Sequence, residues 1–433
     1  MKKTISLLLI IICIFSTCVC AENDNASASV PEGLRSGNIL LMDQASSKVI
    51  YEKNSDERIS PGGFTKLFTA AVIFDYINSV DEKVTANPKA VTTYDFTHNN
   101  MGVLPGETLT VNDLLHGMLI YDAGEAANAL AVYSADTMDK FVAKMNQKAA
   151  QIGCSDTYFT NPSGLPDENQ YSTLKDVALI VNYAMENEII SGIVKTKSYK
   201  INPSNKYSET RYLNNTNKFI SNASTNEYYT KNATGAKTSY VSNNDCGLAL
   251  TYEKGNLKFL CITSNSPYAN GINYANEDSK KLIDYALEYY TSEKLLSRDE
   301  IMAEVKVRNG KESGKVLLVC ADDLFVNLPK NYNPDLLEKI TETNKKVKAP
   351  ISKGDALGQV TVLYNGEKYA SAILVADASV SSAPIKGFFA SIGAIFTSWI
   401  FIALVILIIG LFIFYTIMLN KIKRRKKYVS RFR

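Results

Sequence analysis

Two short apolar runs, residues 38–42 and 48–52, flank a polar Gln44-Ala45-Ser46-Ser47 stretch, and together they predict a β-hairpin. The pattern then changes period. Leu67, Phe68, Ala71 and Val72 fall on one helical stripe, with Ser60 placed to cap the first amides and Pro61 at the first helical position. Lys66 lies inside that stripe. An ammonium there costs several kcal/mol unless it snorkels to water, pairs with an anion, or loses its proton and serves as a base.

Helical spacing continues over 111–121, 126–135 and 138–152. Strand patterns return at 247–253 and 256–264, joined across Lys254-Gly255, and an amphipathic helix is predicted over 278–290. A sheet assembled from both ends of this region, with helices between them, is the expected picture. Short strands with Gly and Pro punctuation follow at 303–307, 315–319, 359–363 and 370–375, and they carry no cluster of catalytic residue types. A body of about 350 residues exceeds what one core usually supports, so two domains are expected, at 33–297 and 300–380. The second reads as a small β-sandwich that spaces the first from a membrane.

Membrane signals lie at both ends. Met1-Lys2-Lys3, the apolar run 5–15 and the small residues Val19-Cys20-Ala21 predict a secretory signal peptide over 1–21. No charge occurs from 387 to 420, and 396–419 is apolar and long enough for a hydrocarbon core of about 30 Å at about 1.5 Å per residue. This predicts a transmembrane helix. The tail, 420–433, holds Lys421, Lys423, Arg424, Arg425, Lys426, Lys427, Arg431 and Arg433 and no acid. The expectation is a single-pass protein of the cell membrane with its large N-terminal part outside and this tail in the cytoplasm.

These ends change the meaning of the charge balance. The chain has 47 basic and 44 acidic residues, but Lys2, Lys3 and the eight basic tail residues lie outside the body, which therefore holds 37 basic against 44 acidic residues, net −7. That argues against a nucleic-acid partner. Outside the leader only Cys154, Cys246, Cys261 and Cys320 remain, scattered, with His98 and His116 the two imidazoles, so neither a metal site nor a disulfide-dense scaffold is suggested and no cofactor is expected.

The stretch Ser60-Pro61-Gly62-Gly63-Phe64-Thr65-Lys66 resembles the Ser-x-x-Lys motif of the serine D-Ala-D-Ala carboxypeptidases, the low-molecular-mass penicillin-binding proteins. Gly63 stands where that family has its nucleophilic serine. The resemblance extends over about 33–380. Asn161-Pro162-Ser163-Gly164-Leu165-Pro166-Asp167, Tyr171-Ser172-Thr173 and Asp176 look like a family signature, with Ser163 where histidine is usual. Tyr121-Asp122-Ala123-Gly124 matches the surroundings of the Ser-x-Asn loop, with Asp122 for the serine and Gly124 for the asparagine. Lys237-Thr238-Ser239 resembles the Lys-Thr-Gly strand that binds the substrate carboxylate, with Ser239 for the glycine. The resemblance implies an α/β (α+β) penicillin-binding-protein or β-lactamase-like transpeptidase domain, then a small all-β domain and one C-terminal transmembrane helix. It also implies peptidoglycan stem peptide or a cell-wall protein as partner.

At the matching positions the chemistry has changed. Glycine cannot attack a carbonyl, and the hydroxyls of Thr65 and Ser60 do not face the same way as position 63. A carboxylate at Asp122 beside Lys66 favours the ammonium form where catalysis needs a neutral amine. Three readings stay open: a catalytically impaired homologue that binds stem peptide or a wall-synthesis partner, an active carboxypeptidase with another nucleophile, and a structural scaffold without ligand.

Overall fold

The computed structural model describes residues 30–92, 94–95, 98–221, 226–311, 314–344, 346–382 and 399–429. The leader expected at 1–21, residues 396–398 of the expected span and residues 430–433 of the tail lie outside the described residues.

Strand β1 (Asn38–Asp43) is buried on both faces, and its alternate residues feed two different cores. Leu40 and Met42 point to a helical layer, while Ile39 and Leu41 point to a single long helix on the other side. The predicted hairpin partner is β2 (Val49–Lys53). The chain then leaves the sheet for its helical block and returns with β3 (Ala233–Ser242), β4 (Asp245–Lys254) and β5 (Leu257–Ser266). The order is β2-β1-β5-β4-β3, every pair antiparallel, so β3 is an edge strand. The sheet therefore does draw on both ends of the first domain.

Helix α1 (Phe64–Ile73) runs through the helical layer with all ten residues buried. Its two phenylalanines, Phe64 and Phe68, are each worth roughly 1.5 to 3 kcal/mol of burial, and Phe68 stacks on Phe159 at 5.2 Å between ring centroids. The start differs from the sequence expectation: the helix begins at Phe64, and Gly63 is the N-cap residue without a side-chain cap. The reason lies in the preceding turn. Gly62 adopts φ +47°, a left-handed conformation that suits glycine, and the Phe64 amide already bonds the Pro61 carbonyl at 3.0 Å, so Ser60 stands too early to cap.

Around α1 pack α2 (Val111–Ile120), α3 (Gly124–Ala135), α4 (Met138–Gln151) and α5 (Leu174–Met185). Thr110 and Asp113 form a reciprocal capping box at the start of α2, and Thr137 and Thr173 cap α4 and α5. Helix α6 (Tyr274–Tyr289) covers the other sheet face through Leu282, Ile283 and Ala286.

The second domain is all-β. Strand β6 (Tyr290–Leu296) pairs with β9 (Leu324–Pro329), so β-pairing of this domain begins directly after α6. A six-stranded sheet contains β7 (Ile301–Arg308), β8 (Lys315–Cys320), β10 (Leu337–Thr343), β11 (Val347–Lys348), β12 (Ala356–Tyr364) and β13 (Glu367–Ala376) in the order β10-β12-β13-β8-β7-β11. The domains touch where the buried Asn327 amide donates to Asp43 Oδ1 at 2.7 Å and where Lys48 meets Glu367. All four body cysteines are buried and unpaired. The last helix, α7 (Trp399–Val429), contains Ile402–Arg424, 23 residues long and apolar enough to cross a membrane.

Candidate functional site

Three segments meet at one end of α1. The first is the Pro61-Gly62-Gly63 turn with Lys66 one helical turn further on. The second is the Tyr121-Asp122-Ala123 loop between α2 and α3, where Asp122 adopts φ +69° and Ala123 anchors by its amide to the Gly117 carbonyl at 2.9 Å. The third is the middle of β3, with Lys237, Thr238 and Ser239. The seven motif residues singled out from sequence thus lie together.

Their polar atoms are turned on one another. Asp122 Oδ1 lies 3.1 Å from the Lys66 ammonium and 2.6 Å from that of Lys237, while Asp122 Oδ2 accepts from the Asn99 amide at 3.3 Å. The Lys237 side chain is fully buried, and those of Lys66 and Asp122 are 6 % and 7 % exposed. Burial by itself pushes Asp122 up, but the two ammonium groups overturn that and hold its carboxyl below the usual range. Burial pushes Lys237 down and the neighbouring Lys66 adds to this; Asp122 opposes both without overturning them, so Lys237 stays below the usual lysine range. Thr238 shares a hydroxyl contact with Thr216 at 2.7 Å. The Gly63 amide donates to Ser239 Oγ at 3.0 Å. Lys237, Thr238 and Ser239 therefore all use their side chains inside the chain.

The edge strand lies directly on the helix start. A Cβ at Gly63 would stand 2.2 Å from the Thr238 carbonyl oxygen and 3.0 Å from Ser239 Cα. One at Gly62 would meet Ser239 Oγ at 2.3 Å, and one at Gly164 would meet the Gly62 carbonyl at 1.8 Å. Gly124 is closed in a different way: its Cβ would meet the Tyr94 ring at 2.3 Å, and Tyr94 is held by donating its hydroxyl to the Asn99 carbonyl at 2.8 Å. What remains is a cavity of about 60 Å³ lined by Gly63, Lys66, Tyr94, His98, Asn99, Asp122, Ser163, Gly164, Leu165 and Tyr240. By volume it holds about two water molecules.

The signature segment supports this wall. Asn161 Oδ1 accepts from the Leu165 amide at 3.0 Å and from Ser163 Oγ at 3.1 Å, which folds the loop so that Gly164 reaches Gly62. Asp176 accepts from Thr157 Oγ1 at 2.7 Å and from the Asp156 amide at 2.8 Å, a structural role. Thr65 Oγ1 is buried without a partner among the described residues. Tyr94, Asn99 and Tyr240 carry no signal in the sequence and enter the site through the fold alone. Among the described residues no group of three or more His, Cys, Asp or Glu is gathered that could hold a metal ion.

Residues 24–266 match the D-alanyl-D-alanine carboxypeptidase family, and residues 290–382 match the penicillin-binding protein 5 C-terminal domain. The D-alanyl-D-alanine carboxypeptidase DacF of Bacillus subtilis is 27% identical over 391 residues, which cover 88% of this chain and 96% of that protein. Penicillin-binding protein 5 of Haemophilus influenzae superposes with a TM-score of 0.64 at 25% identity, over 82% of this chain and 99% of its own. A peptidoglycan synthesis regulatory factor (PBP3) of Streptococcus pneumoniae shares the fold with a TM-score of 0.69 at 19% identity, over 81% and 100% of the two chains. With more than half of its 433 residues matched by that one family and the β-domain matched behind it, the chain belongs to the D-alanyl-D-alanine carboxypeptidase family, the low-molecular-mass penicillin-binding proteins.

Proposed function

We propose that this is a membrane-anchored, wall-facing member of the family that does not hydrolyse D-alanyl-D-alanine and works by binding, to peptidoglycan stem peptide or to a wall-synthesis protein. The observation that carries the reading is Gly63: the nucleophile position has no side chain, and the Thr238 carbonyl occupies the place where one would begin. Two further features support it. The Lys66 side chain, the candidate base, is engaged by the Asp122 carboxylate at 3.1 Å. The Gly63 amide, which at the nucleophile position of such a site would be available to a developing oxyanion, is bonded to Ser239 Oγ.

The direct test is to treat the full-length protein in detergent with a fluorescent penicillin, and separately with a stem peptide ending in D-alanyl-D-alanine. No covalent adduct by mass spectrometry and no free D-alanine are expected. Either product would overturn the proposal. The internal use of Lys237, Thr238 and Ser239 favours a second reading, a scaffold whose groove takes no peptide, with the β-domain or the membrane helix carrying the role. Stem peptide that binds the wild type and is lost in Lys237→Ala supports binding through the groove. No binding by the wild type supports the scaffold.

A further inference from the structure

The polar residues at this site do not balance in charge. Two ammonium groups, Lys66 and Lys237, share one carboxylate, and all three side chains are at least nine-tenths buried. The 2.6 Å contact between Lys237 and Asp122 has the length of a charge-assisted hydrogen bond, which favours the ionised pair against the burial and the neighbouring Lys66 that hold Lys237 below its usual range. Neighbouring acids are directed elsewhere. Glu125 turns its Oε1 to the amides of Met101 at 2.7 Å and Val103 at 3.3 Å, and Asp95 lies toward the surface 4.0 Å from His98. Burial also pushes the Glu125 carboxyl up, toward its neutral form. An uncompensated buried charge is among the costliest features a fold can carry.

The cavity beside this cluster is suited to a counter-charge. Its lining includes Lys66, Asn99, Ser163, Gly63 and Gly164. The Asn99 amide is given to Asp122, the Ser163 hydroxyl to Asn161 and the Gly63 amide to Ser239, which leaves the Lys66 ammonium as the charged donor in that lining. Both oxygens of Asp122, the carboxylate in that lining, already accept hydrogen bonds or ion-pair contacts, Oδ1 from the two lysines and Oδ2 from Asn99. At about 60 Å³ it takes an ion of two to three heavy atoms or a halide. We infer that the remnant groove is a binding site for one small monovalent anion, of halide or formate size, held by Lys66 opposite Asp122. The inference rests on reading the groove as closed to hydrolysis.

The test uses the full-length protein in detergent, with sodium chloride, sodium formate and sodium gluconate compared at equal ionic strength. Gluconate is too large for the cavity. Chloride or formate at tenfold excess over its dissociation constant is expected to raise the unfolding midpoint above that in gluconate by on the order of 3 °C, and the saturation curve distinguishes the two ions. Lys66→Met should abolish the difference, and Asp122→Asn should enlarge it by removing the internal competitor. If neither variant folds, chloride NMR line broadening by the wild type, suppressed by formate and unaffected by gluconate, is the deciding measurement. Equal midpoints in all three salts, or no broadening, would overturn the site and point to a neutral Lys237. A penicillin adduct would instead overturn the reading of the groove as closed to hydrolysis while leaving these measurements intact.

Discussion

At the scale of single residues, position 63 decides what chemistry is available. Gly63→Ser restores the family's residue type but places its Cβ 2.2 Å from a main-chain oxygen, which cannot swing aside as a side chain would. Overpacking of this kind costs roughly 1 to 3 kcal/mol, so the variant should show a lowered denaturation midpoint and still release no D-alanine. Wild-type stability together with D-alanine release would falsify the account of a closed groove. The lysine pair makes a second, sharper demand. Asp122→Ala strands two buried ammonium groups and should destabilise by about 3 to 5 kcal/mol. Adding Lys66→Met should recover only part of that loss, because Lys237 remains, whereas Lys66→Met and Lys237→Met together with Asp122→Ala should recover most of it. Equal stability of the double and triple variants in urea would show that Lys237 does not depend on Asp122. The acid limb follows from the same carboxylate. Its pKa is depressed in the folded chain, so its contribution is complete above about pH 4, the unfolded value, and is lost as pH falls through the folded value. In Asp122→Asn that part of the acid sensitivity should disappear, which a pH series of unfolding midpoints measures.

At the scale of elements, the contact between edge strand β3 and the start of α1 closes the site. It is made by two small residues, Gly62 and Gly63, and by one hydroxyl, Ser239, which accepts the Gly63 amide, while Gly164 packs on Gly62 from the signature loop. Ser239→Ala leaves that buried amide without its partner and should cost about 1 to 3 kcal/mol, with faster hydrogen exchange at Gly63 as the specific readout. Unchanged exchange at Gly63 would mean that the strand holds the helix by some other contact. How far this was readable in the sequence differs from element to element. The hairpin of β1 and β2, the helical block and the lysine in an apolar stripe follow from local periodicity, and the meeting of Lys66 with Asp122 follows from the family resemblance. That Lys237 joins Asp122 was not legible, because a lysine on a strand edge carries no local sign of which anion it will reach. The helix start was misjudged at Ser60 since the Gly62 turn, a left-handed conformation, has no fixed signature. Strands β6, β9 and β10 have no clean apolar alternation to mark them: β6 and β9 are partly buried by pairing with each other, and β10 is largely exposed.

At the scale of the whole molecule, the question is which way the chain faces. The body carries net −7 and ends its β-domain at β13, and the apolar segment Ile402–Arg424 follows with basic residues at its C-terminal end. Lys421, Lys423 and Arg424 continue the same helix α7, so the charge sits at the helix end, where it resists transfer across a membrane. The β-domain contacts the first domain through Asn327 and Asp43 at 2.7 Å and through Lys48 and Glu367, so the groove is expected to lie on the same side of the membrane as the β-domain. Protease added to intact cells should then remove the body, including the Lys66 helix and the β-domain, and spare a fragment containing α7 and the basic tail. The same protease after lysis should leave the span alone protected. A body that resists digestion in intact cells would place the groove on the cytoplasmic side, away from peptidoglycan, and a wall-facing role would fail with it.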